Sequence, residues 1–216
     1  MGKKKEKNWK EAELITTFHL KRLVSTETPK MKAWIANPKV ILNETERVQF
    51  ERIYARGVEK IAGWSEEDLK MKFISPILDL GNILEGDDFV SFFEKSLEGD
   101  VEGCFLKVKT DFVVAKGLLN VLEIPYFHFQ EYKPHLNPTG EPMAQLLEAF
   151  LIAQSKNNNE KTLYGCEIIG TNWRFVTMEG KTYCISKAFN CTDKDDLLQI
   201  IAILRKFRHI LKTELL

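Results

Sequence analysis

Two stretches decide how the chain is read: Cys104-Phe-Leu-Lys-Val-Lys-Thr-Asp-Phe-Val-Val114 and, after a turn marked by Gly117, Val121-Leu-Glu-Ile-Pro-Tyr-Phe-His-Phe-Gln-Glu-Tyr-Lys133. Both are dense in β-branched and aromatic residues, the composition of a strand on a half-buried pleated surface. Each carries a carboxylate inside its apolar run, Asp111 in the first and Glu131 in the second. Burying a carboxylate without a partner is costly, so acids on two adjacent strands point to a shared partner. A hard cation such as Mg²⁺ prefers oxygen ligands and keeps several waters, which suits such a pair. The strand period of two sets Glu131 and Lys133 on one face. A metal pair and an ammonium then converge, which is the equipment phosphodiester hydrolysis needs.

Upstream of these strands, Ser65 is placed to cap a helix whose first turn is acidic (Glu66, Glu67, Asp68), in keeping with the positive end of a helix. Leu69, Phe73, Ile77 and Leu80 form its buried stripe and Gly81 closes it, with a kink or early end expected at Pro76. Residues 87–102 are acidic with a short aromatic cluster, expected to cap the sheet edge. Pro125 hints at an edge, bulge or strand start.

Downstream, Pro134, Pro138 and Gly140 end the second strand. A helix follows over about 142–155, with Met143, Leu146, Leu147, Phe150 and Leu151 on its apolar face. Strands are expected over Leu163 to Ile169, Trp173 to Met178 and near Thr182 to Ser186, then an amphipathic helix from Asp195 to Leu211. The order is α, β, β, α, β, β, β, α, an α/β domain. Residues from about 9 to 60 read as helical, with turns at Thr28-Pro29 and Asn37-Pro38. The division expected is a helical N-terminal extension over 1–62 and the α/β domain over 63–216, with no internal repeat.

The chain has 216 residues, 31 Lys plus Arg and 31 Asp plus Glu, so its formal net charge is zero. That lowers the expectation of tight nonspecific nucleic-acid binding but leaves room for a local basic patch. Cys104, Cys166, Cys184 and Cys191 form no C-x-x-C pair, and the four His show no H-x-x-x-H spacing, so reduced core thiols are expected rather than a zinc site. The charged start Met1-Gly-Lys-Lys-Lys-Glu-Lys7 is unlike a signal peptide, and no segment is apolar enough to span a bilayer. A cytoplasmic location without membrane association is the expectation, and the basic start reads as a frayed terminus.

The motifs have an order. Ser65-Glu-Glu-Asp-Leu-Lys-Met-Lys-Phe-Ile-Ser-Pro-Ile-Leu78 precedes Lys109-Thr-Asp-Phe-Val-Val114, then Gln130-Glu-Tyr-Lys-Pro134, Pro142-Met-Ala-Gln-Leu-Leu147 and Leu163-Tyr-Gly-Cys-Glu-Ile-Ile-Gly-Thr-Asn-Trp-Arg-Phe175. In that order they resemble the PD-(D/E)XK nuclease superfamily, and more narrowly the N-terminal nuclease domain of type I restriction enzyme motor (R) subunits. The resemblance runs from Trp64 to about Ser186. It implies a restriction-endonuclease-like three-layer core, a mixed central sheet flanked by helices, and Mg²⁺ or Mn²⁺ as cofactor. It further implies that Asp111 and Glu131 bind the ion with Glu66 as an outer ligand. Lys133 would position or acidify the attacking water, and Gln145 would orient the site or a backbone phosphate. DNA is the implied partner, cut in restriction or repair, with a further protein supplying a motor or specificity. Departures are Thr110 where a proline gives the superfamily its name, Ala149 where relatives often carry Tyr, and no helicase motor.

Blander readings stand beside these. Asp111 could be a strand-end residue bonded to backbone amides. Glu131 and Lys133 could be an exposed pair on an edge strand, Glu66 a helix-start charge, and Gln145 a surface residue. A second Glu-x-Lys, Glu179-Gly-Lys181, reads as a hairpin loop, and Tyr126, Phe127 and Phe129 read as core. Arg205, Lys206 and Arg208 cluster in the last helix as phosphate-contacting candidates or as solvated charge. At the level of function, a catalytically inactive module on the same fold, binding nucleic acid or a partner protein, is the alternative to the nuclease.

Overall fold

The computed structural model describes residues 8–24, 28–36, 40–119, 121–134 and 140–216. The basic start at 1–7, the Asn37-Pro38 turn and Pro138 lie outside the described residues. In chain order the elements are α1 (Glu11–Phe18), β1 (Lys21–Val24), α2 (Pro29–Ile35), α3 (Glu44–Lys60), α4 (Glu66–Leu69), α5 (Ser75–Leu80), β2 (Val90–Val101), β3 (Cys104–Leu118), β4 (Val121–Lys133), α6 (Pro142–Asn157), β5 (Leu163–Ile169), β6 (Asn172–Glu179), β7 (Thr182–Asn190) and α7 (Lys194–Ile210). A π-helical turn, Lys70–Ile74, joins α4 to α5.

The strands form one seven-stranded mixed sheet in the order β1-β7-β6-β5-β4-β3-β2. β4 runs parallel to β5, and β1 parallel to β7; the other neighbours are antiparallel. Helices cover both faces. One face packs α7 with α2, α3 and α5 through Trp34, Phe73, Ile77, Leu204 and Phe207. The other packs α6 with α1 through Leu14, Phe18, Leu146, Leu147 and Phe150. The chain is therefore a three-layer α/β domain with helices at its N-terminus.

Three elements differ from the sequence reading. Lys21–Val24, expected within a helical stretch, is a strand that extends the sheet past β7. The acidic stretch expected to cap the edge is itself the edge strand, β2, paired with β3 from Val90 to Val101 except at Glu94. The division near residue 62 has no counterpart in the packing: Met31, Trp34, Phe50, Ile53 and Ile61 are buried in the same core as α5 and α7. The Trp34 indole donates to the Ile203 carbonyl at 3.0 Å.

The helix from Ser65 follows the expected register, capped by the Ser65 hydroxyl, which accepts from the Asp68 N–H at 3.1 Å. The irregularity expected at Pro76 takes the form of the π-helical turn just before it. Pro76 has no N–H for the Lys72 carbonyl, and the Arg56 guanidinium donates to that carbonyl instead at 3.4 Å.

A candidate two-carboxylate site on the central strands

β3 and β4 pair antiparallel with Phe112 opposite Gln130, so one further step of the register sets Asp111 opposite Glu131. Lys133 shares the face of Phe129, which packs toward α6, while Tyr132 faces the other layer. β4 lies between β3 and β5, so the exposed edge-strand reading of Glu131 and Lys133 does not hold. Glu131 is 0% exposed and Lys133 7%.

The two acids are held differently. Asp111 Oδ2 accepts from the Tyr132 backbone N–H at 2.8 Å, which realises part of the strand-end reading, and its Oδ1 lies 2.9 Å from Lys70 Nζ. Both carboxylate oxygens of Glu131 are buried with no hydrogen-bond partner. Burial, and next the neighbouring Asp111 charge, push its pKa well above the ordinary carboxylate range. The level of these acids extends sideways. In β2 the ladder runs from Phe93 with Phe112 to Lys95 with Thr110, leaving out the step between Glu94 and Asp111. Glu94 has φ +56°, a left-handed conformation unusual for a side-chain-bearing residue in a strand. In β5, Glu167 pairs with Glu131 and accepts from Arg174 Nε at 2.6 Å.

Glu66 enters from the first turn of α4. Its Oε1 lies 3.1 Å from Lys70 Nζ and its Oε2 3.4 Å from Lys133 Nζ. The expected outer ligand is thus engaged by two ammonium groups and ties α4 to β4. Lys70 is 6% exposed and also meets Glu94 at 2.5 Å. Burial alone would lower its pKa, but the hydrogen bonds of Glu94 and Asp111 and the Asp111 charge hold it above the ordinary lysine value.

A cleft of about 680 Å³ opens beside Lys133. Lys10, Lys107, Lys109 and Lys133 line it, with Glu141, Gln145 and Glu148 among its other lining residues. Gln145 lies on the first turn of α6 and lines the cleft, its Oε1 buried without a partner. Glu148, one turn further on, is 4% exposed with Oε1 also unpartnered.

The last-helix cations are elsewhere. α7 covers the face opposite α6. Arg205 donates to the Leu80 carbonyl at 2.8 Å and to Glu46 at 2.6 Å, and Arg208 to the Asn82 carbonyl at 2.7 Å, while Lys206 approaches the Ala36 carbonyl at 3.5 Å. They fasten α7 to the N-terminal helices and to the turn after α5, and the fold does not bring them to the acids. Glu179 and Lys181 flank the β6–β7 turn, where Gly180 has φ +55°. Tyr126, Phe127 and Phe129 are buried core residues.

Sequence reading missed Lys70, Glu94 and Glu148. Lys70 had one signal, its i+4 spacing from Glu66 on a helix. Glu94 had none, lying in a charged stretch, whereas Glu148 is the one charge within the apolar run 142–153, a signal that could have singled it out.

Among the described residues no group of three or more His, Cys, Asp or Glu is arranged to hold a metal ion. The donors that fit one are Asp111 and Glu131. Two orphaned, fully buried oxygens beside a second carboxylate suit a hard cation that takes the rest of its shell from water. No helix among the described residues is long and apolar enough to cross a membrane. No protein-family model matches the chain, and no curated protein sequence matches it.

Proposed function

We propose that the chain is a divalent-metal-dependent nuclease of the PD-(D/E)XK type that hydrolyses DNA phosphodiester bonds. The observation that carries this reading is Glu131, a carboxylate at the centre of the sheet with both oxygens unpartnered, set opposite Asp111. A buried acid without a donor is a standing cost to the fold, and such costs mark functional sites more often than structural ones.

Asp111 and Glu131 hold Mg²⁺ or Mn²⁺, which supplies Lewis acidity to the phosphate. In the hydrolysis, water adds to phosphorus, the bond to the leaving sugar oxygen breaks, and that oxygen takes up a proton. The Lys133 ammonium lines the cleft, where it steadies the charge that develops on the phosphate. Lys107 and Lys109 precede Asp111 on β3 and line the cleft, so a bound backbone would meet cations along its path. Gln145 orients the water or a phosphate oxygen. With a formal net charge of zero, attraction for DNA rests on this cleft rather than on the whole surface.

One observation favours a second reading, a catalytically inactive module on the same fold that binds nucleic acid or a partner protein. Lys70 already neutralises Asp111 at 2.9 Å. Incubation of the full chain with single- and double-stranded DNA in Mg²⁺ or Mn²⁺ separates the two. Cleavage is expected in the wild type and at least about a hundredfold less in Asp111→Ala and Lys133→Ala, each folded by circular dichroism. Uncut DNA with every divalent ion, in protein that still binds DNA, would establish the binding module instead.

A further inference from the structure

Lys70 has three N–H donors and three carboxylates within reach: Glu94 at 2.5 Å, Asp111 at 2.9 Å and Glu66 at 3.1 Å. Its ammonium is therefore fully satisfied, although the residue is 6% exposed. The π-helical turn starts at this residue, an irregularity that commonly accompanies functional positions in helices. The arrangement serves the acids unequally. Asp111 has both oxygens engaged, one by Lys70 and one by the Tyr132 N–H, whereas Glu131 has neither. A cation that met both acids would satisfy the site completely; the ammonium meets only one.

We propose that the Lys70 ammonium is a resident counter-ion standing in the cation position of the Asp111–Glu131 site, so that a divalent ion binds there only by displacing it. This rests on the metal-site reading above and adds a gate to it. Displacement needs no unfolding. A lysine stem has four rotatable methylenes, and Glu67 stands at the rim with its Oε1 3.7 Å from Nζ and its side chain 78% exposed. Glu67 gives the ammonium an outer resting place once an ion faces Asp111 and Glu131.

The test is calorimetric titration of the full chain with Mn²⁺ alone, with thermal melts recorded with and without the ion. Lys70→Met is expected to bind one Mn²⁺ about tenfold more tightly than wild type, about 1.4 kcal/mol. It is also expected to melt below wild type without metal and to regain the difference with it. The gain should vanish in Lys70→Met with Glu131→Gln. Equal affinities in wild type and Lys70→Met overturn the gate and leave the metal site standing. No binding in either, with both folded, overturns the metal reading and the gate together. Should Lys70→Met not fold, Glu94→Gln loosens the same ammonium from outside the site. A tighter Mn²⁺ affinity there supports the gate, and an unchanged affinity overturns it.

Discussion

Glu148 lines the cleft beside Lys133 with one oxygen lacking a partner, and burial pushes its carboxyl from an ordinary 4.5 up to about 8. Between those two values the folded chain keeps a proton that the unfolded chain has released. Stability conferred by the neutral acid is therefore present at low pH and lost as pH rises through the window. Glu148→Gln keeps the size and removes the titration. The wild type is expected to lose on the order of 3 kcal/mol relative to this variant between pH 5 and pH 8, read from urea unfolding at both. Equal pH dependence in the two proteins would mean that the acid titrates as in water. At this scale the chain announced Asp111 and Glu131 because a charge inside an apolar strand is conspicuous. Lys70 and Glu94 were hidden for the opposite reason: in one dimension each is an ordinary charge on a helix or a polar stretch. Burial comes to them from elements distant in the chain. Arg205 and Arg208 each donate to a backbone carbonyl, at Leu80 and Asn82, and a carbonyl left over at a helix end leaves no mark in a sequence.

The long elements around the site were legible because their periodicity is strong. Short or charged ones were not. β1 has four residues and an almost wholly exposed pattern, so its pairing to β7 is decided by the sheet edge rather than by its own side chains. β2 carries exposed acids and is a strand because β3 offers it a ladder at nearly every step. The π-helical turn had a partial sign in Pro76, and its packing explains the rest. Phe73, inside that turn and fully buried, lies 5.9 Å from the Trp64 ring and against Gly57 of α3. A Cβ on Gly57 would come within 2.5 Å of the Phe73 ring. Gly57→Ala therefore sets a helix-propensity gain of about 1 kcal/mol against an overpacking cost of about 1–3 kcal/mol. The ring has no open space to retreat into, so a net loss is expected, on the order of 1 kcal/mol. Urea unfolding of the variant measures it, and a stabilised variant would show that α3 and the turn can separate freely.

Across the whole molecule, the apolar spacing of residues 9–60 suggested an appendage, because a sequence displays the stripe on a helix but not the surface that the stripe meets. That surface is the main core. Trp34 lies edge-on to Tyr164 of β5 and Phe175 of β6 at centroid distances of 5.0 and 5.1 Å, and Leu14 and Phe18 close the α6 side. A fragment of residues 63–216 would expose both faces at once and leave β7 as an unpaired edge, the kind of edge that invites aggregation. It is expected not to fold, showing no near-ultraviolet dichroism and no cooperative melt. Trp34→Ala in the full chain isolates one contact of this kind. It should cost about 3–5 kcal/mol, since it opens a cavity against α7 and leaves the Ile203 carbonyl without its indole donor. A soluble, cooperatively melting 63–216 fragment would instead make the N-terminal helices a separable layer.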